Sequence, residues 1–149
     1  MRIKNIAIGC DNAGFNYKET IKTYLINNGF EVKDYGAFST DSVDYPDFGH
    51  KVAEVVVEGI VDRGIVICGT GNGINITVNK HAGVRSALCW NEEVAKLARQ
   101  HNDANIIAIP ARFIDENVAI KIVKIFLEEK FEGGRHQQRI NKINLPQHC

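Results

Sequence analysis

The stretch Gly64-Ile65-Val66-Ile67-Cys68-Gly69-Thr70-Gly71-Asn72-Gly73 decides the fold. Its first half is a continuous apolar run, the pattern of a strand buried on both faces of a parallel sheet. Its second half is a glycine-rich turn, with a short helix following to about His81. The same alternation continues outward. Upstream, Ile3–Gly9 reads as a strand. Gly14–Asn28 is a helix with Tyr17, Ile21, Tyr24 and Leu25 on one face, closed by Gly29 as a C′ glycine. Phe30–Tyr35 is a second strand, Ser39–Pro46 a polar loop, and Pro46 suits the first turn of a helix running to about Gly59. Downstream come a strand at Val84–Cys89, a helix at Glu92–Gln100, a strand at Asn105–Ile109 and a long helix at Asp115–Lys130. Gly133-Gly134 breaks the chain before a last helix, Arg135–Asn144. A strand followed by a helix, five times over, predicts a parallel α/β sandwich with right-handed crossovers.

The 149 residues fit a single domain over 1–149. Such a domain buries roughly 68–70% of its extended-chain surface without a disulfide or metal staple. Apolar residues are 44% and charged residues 24%, ordinary for a folded soluble chain. Lys plus Arg equals Asp plus Glu at 18 each, which disfavours a nucleic-acid binder and removes charge repulsion between copies. No run of 18 apolar residues or signal-peptide pattern is present, so the expectation is a cytoplasmic protein with no membrane contact. The cysteines, Cys10, Cys68, Cys89 and Cys149, show no CxxC or zinc-finger spacing, in line with reduced thiols. Asp115–Lys130 carries a wide apolar arc: Val118, Ala119, Ile120, Ile122, Val123, Ile125, Phe126 and Leu127. Either the last helix or a second subunit should cover the excess, and with the charge balance a dimer is favoured.

In open parallel sheets, ligands sit outside the carboxyl ends of the strands. Cys68 stands at such an end, before a loop whose N–H groups can cradle an anion, so its thiol pKa should fall and a thiolate can act as base or nucleophile. The competing reading is a buried structural cysteine. Cys10 and Cys89 have no such loop and read as packing residues. Gly69-x-Gly71-x-Gly73 is no dinucleotide fingerprint: its spacing differs, it follows the third strand, and no Walker Lys or Ser/Thr is present. His101 ends a helix and can exchange protons near neutral pH or serve only as a cap. Arg135 and Arg139, four apart, put two guanidiniums on one helix face, a phosphate clamp that Arg112 can join, or simply a solvated basic face. His50, His81 and His148 have no such company and read as surface or capping residues. Cys-x₅-Arg, GxSxG and a dense cluster of metal ligands are all absent, so no metal is expected.

Thiolate, anion-binding loop, histidine and arginines together suit proton abstraction beside a carbonyl on a phosphorylated sugar. Here the sequence resembles the type B ribose-5-phosphate isomerases. The resemblance rests on Gly9-Cys10-Asp11-x-Ala13-Gly14-Phe15, Asp44-Tyr45-Pro46, Ile67 to Gly73, Asn79-Lys80, Arg99 to Asn105 and Glu132 to Arg139, in order along nearly the whole chain. It implies a Rossmann-like five-stranded sheet and a homodimer, sometimes paired into tetramers, with active sites across the dimer interface. It also implies interconversion of ribose 5-phosphate and ribulose 5-phosphate with no cofactor. By position, Cys68 would be the base at carbon 2. Thr70 and the loop Gly69, Gly71, Asn72 and Gly73 would stabilise the enediolate. His101 would open the furanose ring with Asp11 nearby, and Tyr45 would border the pocket. Arg112, Arg135 and Arg139 would hold the phosphate, and Asn102 the sugar. Asn12 stands where the family usually has His; it can donate a hydrogen bond but carries no charge, which bears on phosphate affinity and sugar preference. The alternatives are an isomerase of hexose 6-phosphates such as allose or galactose, a non-catalytic sugar-phosphate or nucleotide binding module, and a redox sensor pairing Cys10 with Cys68.

Overall fold

The computed structural model describes residues 2–146. His148 and Cys149 lie outside the described residues. The strands are β1 (Asn5–Cys10), β2 (Glu31–Asp34), β3 (Arg63–Cys68), β4 (Ser86–Leu88) and β5 (Ile106–Pro110). The helices are α1 (Phe15–Asn27), α2 (Tyr45–Val57), α3 (Asn72–Val78), α4 (Glu92–Gln100), α5 (Glu116–Glu128) and α6 (Arg135–Ile140). All strand pairings are parallel, in the order β2-β1-β3-β5-β4. The α/β sandwich with five strands and a C-terminal helix is therefore as the sequence predicts.

The strand order settles a detail the sequence reading leaves open, and two further details differ from that reading. β5 lies inside the sheet although β4 precedes it. Its five residues, Ile106-Ile107-Ala108-Ile109-Pro110, are all buried, whereas Ser86-Ala87-Leu88 is short and half-buried, as an edge strand should be. The last helix stops at Ile140 and continues only as turns. The wide apolar arc of α5 is covered by α1 and α4, which flank it on the same face, so it gives no argument for a second subunit. Gly29 behaves as read: its N–H donates to Ile26 O at 3.1 Å and that of Phe30 to Leu25 O at 3.0 Å, a Schellman closure of α1.

Alternation along the central strands splits the core in two. Ile8, Cys10, Ile65, Ile67, Ile107 and Ile109 face α1, α4 and α5. Ala7, Val66, Cys68, Ile106 and Ala108 face α2 and α3. Among the described residues, no helix is long and apolar enough to cross a membrane.

Candidate active site

The chain leaves β1 toward β2 on one side and returns to β3 on the other, which opens a crevice at the carboxyl ends of β1 and β3. Asp11 N–H donates to Ile67 O at 3.2 Å, joining the two strand ends. The Asp11 carboxylate accepts from Gly14 N–H at 3.0 Å, and Asn12 Oδ1 from Val43 N–H at 3.3 Å. Asn12 thereby tethers the loop that leads into Tyr45. Beyond Cys68 the backbone turns sharply. Gly71 has φ 76°, and a Cβ there would lie 2.4 Å from Leu88 Cδ1, so only glycine fits. A Cβ at Gly73 would sit 2.5 Å from Tyr45 Cζ, which puts the phenol directly on the loop. Thr70 Oγ1 accepts from Asn72 N–H at 3.2 Å. Ala111 and Arg112 donate their N–H groups to Cys68 O and Gly69 O, each at 3.0 Å, and the Arg112 guanidinium packs beside Gly69. Asp11, Asn12, Tyr45, Cys68, Gly69, Thr70, Gly71, Asn72, Gly73 and Arg112 thus share one end of the sheet.

The three described cysteines are all buried. Burial pushes the Cys10 and Cys89 thiols up to about 12, so both stay protonated, consistent with packing roles. Cys10 pairs in register with Ile67, so its side chain and that of Cys68 point to opposite faces of the sheet. A disulfide between them would have to pass through the sheet, which removes the redox-sensor reading.

The second group gathers elsewhere. His101 caps the C-terminus of α4, its N–H donating to Leu97 O at 2.8 Å. Asn102 follows, its carbonyl accepting from Arg85 Nε at 3.1 Å. Arg135 and Arg139 lie one turn apart on α6. With His136 they line a concavity of about 300 Å³ that also includes His101 and Asn102. Two residues not assigned a role from the sequence, Glu132 and His136, complete this group. Glu132 N–H donates to Gln100 O at 3.0 Å, docking the turn before α6 onto the end of α4. Its Oε1 lies 3.6 Å from His101 Nε2 and 3.7 Å from His136 Nε2. The two imidazoles stack with centroids 4.2 Å apart. Desolvation, the adjacent His101 and the Arg135 charge hold the His136 pKa below its usual value, against the pull of Glu132. The fold therefore assembles a His/Glu/His cluster that linear spacing does not show. His50 and His81, read as surface or capping residues, meet each other in an exposed contact, Nδ1 to Nε2 at 2.7 Å.

These two groups occupy opposite ends of the sheet. Helix α4 runs back against the strands and delivers His101 to the amino end of β5, where Ile106 pairs with Gly64. Cys68 pairs with Pro110 at the carboxyl end. The four steps from Ile106 to Pro110 span about 13 Å at the usual strand rise. Within one chain Arg112 stands with Cys68, while Arg135 and Arg139 stand with His101. The single phosphate clamp of three arginines expected from the sequence is thus not built by one chain alone.

A parallel α/β sheet with a thiol and a glycine turn at its switch point places this chain among the open-sheet α/β proteins that take ligands at the strand ends. Comparison with known proteins narrows this: residues 6–143 match the family model described as Ribose/Galactose Isomerase. The chain belongs to that family. It is 46% identical over 141 residues to ribose-5-phosphate isomerase B of Escherichia coli, covering 95% of each chain. The solved ribose-5-phosphate isomerase B of Clostridium thermocellum is 50% identical, with TM-score 0.92 over 93% of this chain and 94% of that one. The Mycoplasma genitalium enzyme, solved with bound ribulose-5-phosphate, is 43% identical, with TM-score 0.91 over 96% of this chain and 95% of its own.

Proposed function

We propose that the protein is an aldose-ketose isomerase interconverting ribose 5-phosphate and ribulose 5-phosphate, and that each active site is shared by two copies of the chain. The observation that carries the second part is the placement of the two residue groups at opposite ends of one sheet. A homodimer that sets the Cys68 end of one copy against the His101 end of the other completes the site twice. A cytoplasmic setting agrees with reduced thiols.

The Cys68 thiolate takes the proton from carbon 2. Negative charge then develops on the carbonyl oxygen, and the glycine turn supplies donors. The first N–H groups of any helix have no intrahelical acceptor. At α3 that of Asn72 is met by Thr70 Oγ1, leaving those of Gly73 and Ile74 for the enediolate. One preorganised donor of this kind supplies about 3–4 kcal/mol. Tyr45 walls the turn. His101 exchanges the ring-oxygen proton during furanose opening, Asp11 lies beside the reacting carbons, and Asn102 holds a sugar hydroxyl. Arg112 from one copy meets Arg135 and Arg139 from the other around the phosphate, as guanidinium forks match phosphate oxygens. Asn12, already accepting from Val43 N–H, keeps its amide N–H₂ as an uncharged donor. The test is an isomerase assay on ribose 5-phosphate, allose 6-phosphate and galactose 6-phosphate with chelator present. Turnover should be fastest on the pentose. A hexose preference would replace the substrate, and no turnover on any of them would leave a binding module.

A further inference from the structure

We propose that His101, Glu132 and His136 form a site for a divalent transition-metal ion, Zn²⁺ being the best fit, and that an ion bound there holds His101 and stops isomerisation. The inhibitory half rests on the role given to His101 above; the binding half does not. Two imidazoles and one carboxylate are a zinc ligand set that leaves the fourth position open to water. Their donor atoms all lie within 4.8 Å of one another. Zinc bonds of 2.0–2.2 Å in tetrahedral array put donors roughly 3.3–3.6 Å apart. The Glu132 oxygen is already 3.6 and 3.7 Å from the two Nε2 atoms. The ring planes are 12° apart, so one ring must swing for both lone pairs to converge. His101 is the one to move: its side chain is 39% exposed, against 11% for His136, and Glu132 is half exposed. His136 on α6 is the anchor, and the Glu132 N–H bond to Gln100 O keeps the two segments together. Arg135 and Arg139 line the same concavity and repel any cation. That selects against Mg²⁺ and Ca²⁺, which gain little from imidazole, and leaves ions that do. A metal on His101 Nε2 occupies the lone pair needed for proton exchange.

The experiment titrates the full chain with Zn²⁺ by calorimetry and with Co²⁺ by visible absorption, and follows isomerisation in parallel. One ion per chain should bind, without the sulfur-to-cobalt charge-transfer band that thiolate ligation would give. Isomerisation should fall as Zn²⁺ binds and return with EDTA. Glu132→Gln and His136→Asn should each weaken binding by more than the roughly 10–100-fold that loss of a supporting partner costs. Whatever its metal-free rate, Glu132→Gln should lose the fractional inhibition by Zn²⁺ that the wild-type chain shows. Unchanged affinity in both variants, or a thiolate band, overturns the site. Binding without inhibition overturns the hold on His101. Isomerisation with no metal binding removes the site and leaves the function; metal binding at these residues in a chain that isomerises no sugar phosphate does the reverse.

Discussion

The two ends of the sheet hold their functional residues by different means. At the Cys68 end the work is done by backbone: strand termini in register, glycines where no Cβ fits, and N–H bonds from Asp11, Ala111 and Arg112 to neighbouring carbonyls. At the His101 end it is done largely by side chains on α4, on α6 and on the turns beside them. The Arg99 guanidinium reaches Asp103 Oδ1 at 2.8 Å and Ala104 O at 2.8 Å, Arg85 reaches Asp103 Oδ2 at 3.2 Å, and two imidazoles stack. The first end suits groups that must stay fixed while charge develops. The second suits long cationic arms that close on a phosphate. In the roles proposed above, the base lies at one end and the ring-opening histidine at the other, which is why the proposal pairs two copies.

The largest expected effect breaks or proves that pairing. Cys68→Ala and His101→Asn should each lose on the order of 10²–10⁴-fold in kcat. When the two inactive variants are unfolded together and refolded, random pairing makes half the dimers mixed. Each mixed dimer has one intact site, so about a quarter of wild-type activity should return. A mixture no better than its parts would mean that both groups serve one site in one chain. Next in size are the arginines. Arg135→Ala or Arg139→Ala should raise KM with a smaller change in kcat, since a charge-assisted bond contributes about 1.5–3 kcal/mol, or roughly 10–150-fold. Unchanged KM in steady-state kinetics would remove the clamp from the His101 end.

How far each end could be read from the sequence follows the same division. The Cys68 end is written locally. An apolar run ending in Cys68-Gly69-Thr70-Gly71 places thiol and turn together at a strand end, and helix Glu92–Gln100 has the bounds its pattern predicts. Strand order was less visible. Chain order suggests nothing of β5 stepping inside β4, although the polarity of Ser86 beside the unbroken apolar run Ile106–Ile109 points that way. The His101 end is tertiary. His101 and His136 are far apart in sequence, and only the docking of α6 against α4 brings Glu132 between them. The opposite placement of the two groups was implicit in the alternation, because a residue just before a strand and one just after it cannot share an end.

Stability at the Cys68 end sharpens the claim that backbone shape rules there. Gly71→Ala introduces a Cβ against Leu88 Cδ1 and forces a positive φ on alanine. It should cost about 1–3 kcal/mol in denaturant unfolding. An exposed glycine such as Gly59, where nothing lies within 4 Å of a Cβ, suffers only the φ term and should cost less. Equal losses at both positions would show that close packing at the turn contributes nothing.

The smallest effect concerns acid. Behind the Cys10–Asp11 strand end, Lys18 is fully buried and its Nζ meets Asp34 Oδ2 at 2.6 Å. Asp34 Oδ1 accepts from Gly36 N–H at 2.9 Å, and Gly36 O in turn accepts from Cys10 N–H at 2.6 Å. Burial alone would raise the Asp34 pKa, but the bonds from Lys18, Gly36 and Lys22 outweigh it and hold the carboxyl below its usual value. A depressed folded-state pKa means the unfolded chain binds the proton more readily. The Asp34 contribution is therefore complete above the unfolded carboxylate value of about 3.9 and is lost as pH falls through the lower folded value. The stability difference between the wild-type chain and Asp34→Asn, measured by urea unfolding, should stay level from neutral pH to about 5 and shrink below about 4. A difference that held constant through that window would show that the Lys18 pair does not support this end of the sheet electrostatically. The protection of the Cys10 and Ala37 amides, measured as exchange relative to the intrinsic rate at each pH, should fall over the same interval, because both amides hang on the turn that Asp34 secures.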